Sequence, residues 1–264
     1  MNPDLADEDP LRPPLRRLRL LALCLAVALP VAAQAAEAPT DPAALRALLA
    51  KVDDAGRSAS SRATVTMQVK TSRYERSVTM EMWTQGTENT LIRIVQPAKD
   101  KGVATLKVGE NLWNYLPNTD RTMKVPAGMM SGAWMGSHLS NDDLVHESRL
   151  SEDYTFAPGP AVQGDSVSIV CTPKADTPVP WGRVEVVLRG DGVPVLQSFY
   201  DEDGALARTL SFSDVRDIGG TPVAMAMRIE PLDKPGEFTE FRYDQLELGV
   251  SIDKAVFSLQ ALKR

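Results

Sequence analysis

The chain has 264 residues, 43% of them hydrophobic and 24% charged, with a formal net charge of −6. That length and apolar content suit one ordinary domain with a sizeable core and argue against disorder. The acidic balance argues against nucleic acid or an anionic membrane surface as the main partner, since either would repel the chain at long range.

The first element is a leader. Arg16-Arg17-Leu18-Arg19 precedes an apolar run from Leu20 to Ala33, which Pro30 breaks and Ala33-Gln34-Ala35 closes. A transmembrane span needs about 20 apolar residues, whereas this core is nearer the ~7–15 of a secretory signal peptide with small residues at the cleavage site. Residues 1–35 therefore read as a signal peptide and 36–264 as one mature domain, exported to the periplasm. Cys24 follows Leu23, too large for the position before a lipidated cysteine, so lipid attachment is not expected. Cys171 is then the one cysteine of the mature chain, and no intramolecular disulfide is possible.

Thr40-Asp41-Pro42 starts a helix that runs to about Asp54, with proline inside the first turn and Leu45, Leu48, Leu49 and Val52 at helical spacing. Its apolar stripe fits core packing or a lid on a cavity. From Arg62 the period changes to two. Ala63, Val65, Met67 and Val69 alternate with polar residues, Val78, Met80 and Met82 share a face of a second strand, and Leu91 to Val95 forms a third, ended near Pro97. Short turns without intervening helices predict antiparallel pairing.

The stretch Pro97 to Val145 continues as a meander. Gly102 opens a strand carrying Ala104, Leu106 and Val108; Gly109-Glu110-Asn111 turns; Leu112 to Leu116 returns with Trp113 and Tyr115 on one side. Pro117-Asn118-Thr119-Asp120 turns again into Arg121 to Val125. Ala127 to Met135 breaks the pattern, with Gly128, Ser131 and Gly132 among Met129, Met130, Trp134 and Met135. It is too flexible for a strand and too apolar for a solvated loop. A mobile flap over a cavity mouth is expected here, leading into a helix that Ser140 caps with Asp143 at its third position.

Lys101-Gly102, Leu112-Trp113-Asn114-Tyr115-Leu116-Pro117, Arg121-Thr122-Met123-Lys124 and Met135-Gly136-Ser137, followed by Leu139-Ser140 and Asp142-Asp143-Leu144, carry a resemblance. The sequence resembles the outer membrane lipoprotein-sorting proteins, in the superfamily of the periplasmic lipoprotein carrier LolA. Where that family has an acidic residue after Met-Gly-Ser, this chain has His138. The resemblance implies a mainly β (α+β) fold, an incomplete, strongly curved antiparallel β-barrel closed by a few helices. It also implies a carrier, not an enzyme, that binds the acyl chains of a lipoprotein or lipid, and an inner-membrane transporter or permease as a further partner.

Val167 to Thr172, Arg183 to Arg189, Val195 to Tyr200, Leu206 to Ser213, Val223 to Glu230 and Phe238 to Leu248 are further strands between Gly, Pro and Asp turns, and Asp253 caps a short final helix or turn. No repeat or long linker marks a second folded domain. Chemical motifs are sparse. His138 and His146 lie near Asp142, Asp143 and Glu147, but this run reads more simply as a helix start with surface pairs than as a metal site, and no metal or other cofactor is expected. Gly164-Asp165-Ser166-Val167 looks like a hydrolase serine motif, yet no histidine follows it, so a turn entering a strand is the simpler reading.

Ten methionines and four tryptophans offer soft apolar surface, suited to variable chains more than to one rigid metabolite. Met129, Met130, Trp134, Met135, Trp113 and Tyr115 are the candidate ligand-binding residues. The expectation is a monomeric acyl-chain carrier. The alternatives are a lipid-hydrolysing enzyme or a ligand-free structural envelope protein on the same scaffold.

Overall fold

Two runs of antiparallel hairpins, joined by their first and last strands, make up the molecule. The computed structural model describes residues 41–54, 59–145, 150–175, 177 and 179–263; the expected signal peptide and cleavage region lie outside the described residues. Strands β1 (Ser60–Lys70), β2 (Glu75–Gln85), β3 (Asn89–Gln96), β4 (Ala104–Val108), β5 (Asn111–Leu116) and β6 (Arg121–Lys124) form one meander. Strands β7 (Tyr154–Pro158), β8 (Val167–Pro173), β9 (Arg183–Leu188), β10 (Pro194–Tyr200), β11 (Leu206–Ile218), β12 (Thr221–Pro231) and β13 (Phe238–Leu248) form the other. β1 pairs with both β2 and β13, so the order is β6-β5-β4-β3-β2-β1-β13-β12-β11-β10-β9-β8-β7. The sheet stays open, with β6 and β7 as its edges.

The fold is thus the mainly β, incomplete, curved antiparallel barrel expected from the turn pattern and the resemblance. Right-handed twist across so many strands curls a sheet onto itself, and here it encloses a core without closing. The segment from Val125 to Asp153 runs from one edge to the other. It holds two short 3-10 turns (Ala127–Met129 and Trp134–Gly136), α2 (Asn141–Val145) and α3 (Leu150–Asp153).

Strand alternation places the core as the sequence predicts. Ala63, Val65, Met67 and Val69 of β1 are buried, as are Val78 and Met80 of β2. With Ile92, Ile94 and Trp134 they form one apolar cluster inside the first meander. A second cluster fills the other half: helix α1 (Pro42–Asp54) lays Leu45 and Leu49 against Ile169, Val184, Val186 and Leu188. α1 begins as expected, with the Asp41 carboxylate accepting from Ala44 N–H at 3.1 Å. Full burial of a leucine contributes about 1.5–3 kcal/mol, so this stripe fixes the helix far more firmly than its intrinsic propensity does.

On the opposite face of β3 to β5, the chain's end covers Leu91, Ala104, Leu106 and Tyr115 with Phe257 and Leu262. The Asp253 carboxylate caps the 3-10 turn Lys254–Phe257, accepting from Ala255 N–H at 2.9 Å, and Lys263 pairs with Asp120 at 2.9 Å.

One α-helix and one strand were not predicted from the sequence, α3 and β7. α3 is barely one turn, and its first amides find their acceptor far away in sequence. The Asp53 carboxylate at the end of α1 takes Leu150 N–H, Ser151 N–H and the Ser151 hydroxyl at 3.0, 2.9 and 2.6 Å. β11 also runs five residues past its expected end, because its polar outer half pairs with β12 as a solvent-facing ribbon through Ile218 and Thr221. Among the described residues no helix is long and apolar enough to cross a membrane.

Candidate functional site: an apolar cavity crossed by one segment

Between the two interior clusters lies a cavity of about 1200 Å³. That exceeds the roughly 300–1,000 Å³ of usual small-molecule sites. Its walls come from Met80, Met82 and Ile92 on one meander and from Leu210, Phe212 and Met227 on the other, with Phe241 and Tyr243 of the joining strand between them. The Val125–Asp153 segment contributes Gly128, Trp134, His138, Leu139 and Leu144.

Trp134 is the anchor of that segment. It is only 2% exposed, its indole N–H donates to the Thr105 hydroxyl at 3.1 Å, and its ring lies nearly parallel to Phe241 with centroids 6.4 Å apart. A buried indole needs such a partner, and Thr105 is itself oriented by donating to Asn114 Oδ1 at 2.7 Å. The following residues turn sharply: Met135 has φ 49° and Gly136 φ 71°. Gly136 is needed twice over, for its left-handed φ and because a Cβ there would meet the Tyr74 hydroxyl oxygen at 2.8 Å; that hydroxyl donates to Gly136 O at 2.6 Å.

His138 comes next, walled in by the β12–β13 and β1–β2 turns. Its main-chain N–H donates to Thr239 Oγ1 at 3.0 Å, its Nδ1 lies 2.9 Å from the same oxygen, and its Nε2 lies 3.1 Å from Glu237 Oε2. Glu237 also accepts from Ser72 N–H at 2.7 Å. That amide and His138 bring the Glu237 carboxyl down to about 2. The cluster resembles a hydroxyl–imidazole–carboxylate relay in outline only. Thr239 is fully buried and its oxygen already accepts the His138 amide, so it is placed to hold a loop and not to attack a substrate.

Ser140 and Asp143 form the expected cap of α2. Ser140 N–H and hydroxyl each donate to Asp143 Oδ2 at 2.8 Å, and Asp143 N–H returns to Ser140 Oγ at 3.0 Å. Asn141 ties the same helix back to the flap, donating from its side-chain amide to Met129 O and Gly132 O at 3.2 and 3.1 Å. Asp143 faces Arg208 of β11 through a bidentate pair at 2.7 and 3.0 Å. Burial pushes the Asp143 carboxyl up, but the Arg208 hydrogen bonds and charge, with Ser140, hold it below its ordinary value.

The predicted site residues therefore separate. Trp134 lines the cavity, while Met135 packs on the first interior cluster beside it. Met129 is 63% exposed and Met130 half-buried, and neither is on the cavity wall. Trp113 and Tyr115 lie on the opposite face of the sheet with the chain's end, since β5 turns Leu112 to the cavity instead. The segment expected as a mobile flap is hydrogen-bonded within itself, Trp134 N–H to Leu139 O at 2.7 Å and Asn141 N–H to Gly132 O at 2.9 Å among its links. Sequence reasoning missed Phe241, Tyr243, Phe199 and Arg208, which reach the cavity from strands read only as scaffold, and Trp181, which reaches it from the connection before β9. Among the described residues no group of three or more His, Cys, Asp or Glu is placed to hold a metal ion; His146 lies outside them.

An open barrel around an apolar cavity, crossed by one anchored segment, is a LolA-like fold, and solved structures share it. A DUF1329 family protein from Desulfovibrio piger is 23% identical with a TM-score of 0.74, covering 84% of this chain and 100% of that one. A putative outer membrane lipoprotein-sorting protein domain from Vibrio parahaemolyticus is 24% identical with a TM-score of 0.70, covering 83% and 97%. A LolA superfamily protein from Nitrosomonas europaea is 19% identical with a TM-score of 0.65, covering 82% and 98%. A family model described only as "Uncharacterized protein" matches residues 86–264, well over half the chain, and the chain belongs to that family. No curated protein matches the sequence.

Proposed function

We propose that this protein is a periplasmic carrier that shelters the acyl chains of a lipoprotein or lipid in its cavity, and that it binds without turning its ligand over. The observation that carries this reading is the cavity itself: about 1200 Å³, walled by adaptable Met80, Met82 and Met227 and by Phe212, Phe241 and Tyr243. Flexible thioethers and aromatic faces suit a chain of variable length and unsaturation. The Vibrio structure described as a lipoprotein-sorting domain supports the same direction. In this reading a leader is cleaved near Ala36, the mature chain is a monomer, and an inner-membrane transporter or permease hands over the cargo. Trp134 is the contact expected to respond first, and the exposed Met129 and half-buried Met130 form an outer apolar approach.

Mass spectrometry of lipids carried by the mature protein purified from its own periplasm tests the reading, with titration of the delipidated protein by a lipopeptide alongside. Acylated species in near-stoichiometric amount and a saturable change in tryptophan emission are expected. A preparation that carries no acyl chain and takes up none on titration would overturn it, as would conversion of the ligand to a cleaved product.

A further inference from the structure

We propose that Arg208 is the head-group site of this cavity: a compact anion, carboxylate or phosphate, at the end of a single-chain amphiphile takes the place of Asp143 on its guanidinium. The inference rests on the carrier reading and adds the chemistry of the polar end of the ligand.

Four side chains on the cavity wall build the site. The Arg208 guanidinium lies over the Trp181 ring at 4.5 Å and the Phe199 ring at 4.7 Å, and those rings meet edge to face at 5.2 Å. Stacking fixes the plane of the cation without help from any carboxylate. Asp143 fills the fork from across the cavity, at Nη2 to Oδ1 2.7 Å and Nη1 to Oδ2 3.0 Å. Arg208 Nε is buried and has no acceptor among the described residues.

The cation and its counter-ion are held differently. Arg208 belongs to β11, hydrogen-bonded to β10 and β12 on its two sides. Asp143 belongs to a five-residue helix in the crossing segment, and it keeps its bonds to Ser140 whether or not Arg208 is engaged. Asp143 can therefore yield its place while α2 stays capped. A guanidinium does not lose its proton, so an Arg208 left alone among aromatic rings would be a desolvated, unpaired cation. A ligand carboxylate or phosphate offers the same two-oxygen fork that Asp143 offers, and its chain would lie in the apolar cavity. A neutral head group of the same length offers no replacement charge, so the site discriminates by charge as well as by chain.

The test compares three chain-matched ligands at pH 8 on the delipidated mature protein: palmitate, palmitoyl lysophosphatidic acid and hexadecanol. The expected result is that one or both anions bind at least about tenfold more tightly than hexadecanol, the scale of one charge-assisted pair. Arg208→Gln should bring the anions to the hexadecanol level. Asp143→Asn removes the competing charge and should tighten the anions about tenfold with hexadecanol unchanged. Preference for palmitate alone names a fatty carboxylate, and preference for the lysophosphatidic acid alone a lipid phosphate. Equal affinity for all three in the parent, or anion affinity unmoved or weakened in a folded Asp143→Asn variant, overturns the assignment while leaving the carrier reading intact. If none of the three binds, the carrier reading fails and this site fails with it. Should Arg208→Gln not fold, the tightening expected for Asp143→Asn on the anions but not on hexadecanol still decides.

Discussion

Trp134 and Phe241 stack on each other at the cavity wall, their planes 20° apart, and this contact joins the crossing segment to the strand that unites the two meanders. Trp134→Ala removes the largest buried side chain of the segment and should cost about 3–5 kcal/mol. Trp134→Phe keeps a ring for Phe241 but deletes the bond to Thr105, so a smaller loss of about 0.5–1.5 kcal/mol is expected. Urea denaturation of the two variants measures both; equal losses would mean that the ring packing contributes little.

Gly136 and Gly128 provide a matched pair of tests within ten residues. Gly136→Ala places a methyl against Tyr74 in a left-handed conformation and should destabilise by about 1–3 kcal/mol. Gly128 has open space around its added Cβ and no left-handed φ, so Gly128→Ala should leave the melting temperature unchanged or raise it slightly. Thermal melts that rank the two the other way would remove the steric account of the Met-Gly turn.

Glu237 gives the protein a pH dependence of known sign. Its carboxyl stands near 4.5 ordinarily and at about 2 here, lowered by the Ser72 amide and His138. A depressed carboxyl contributes stability above the unfolded value, and that contribution fades as pH falls from about 4.5 toward 2. Glu237→Gln should therefore be destabilised relative to the parent at pH 6 and converge with it near pH 2. Denaturation midpoints across that range check this; a constant gap would assign the effect to something other than titration.

Cys171 is fully buried on β8, and burial, with the charge of Asp53, pushes its thiol up to about 12. It should not react with iodoacetamide at pH 8 in the native protein and should react fully in guanidinium. Fast labelling of the native state would show that α1 and β8 separate readily.

Much of the candidate site lay out of reach of the sequence for a simple reason. Trp134, Ser140 and Asp143 could be singled out because their local pattern already constrains them: an apolar residue among hinges, and a serine with an acid three positions on. Met129 looked equivalent to Trp134 in composition, yet one is 63% exposed and the other 2%. Trp113 and Tyr115 were correctly placed on one side of a strand, but alternation states that two residues share a face and not which face meets the cavity. Only the ending of the chain, which brings Phe257 and Leu262 against Tyr115, resolves that.

By itself, then, the sequence determined what depends on neighbours: the period-two strands, the turns of Gly, Pro and Asp, the apolar stripe and Asp41 cap of α1, and the Ser140–Asp143 cap of α2. Tertiary structure decided whatever depends on partners far along the chain. The pairing of β1 with β13 curves two meanders into one open barrel, Asp53 caps a helix 97 residues away, and Arg208 finds Asp143 across 65 residues between Trp181 and Phe199. Such contacts leave no periodic trace, because their energy comes from burial and charge pairing that exist only once the sheet has curled and water has been excluded from between its walls.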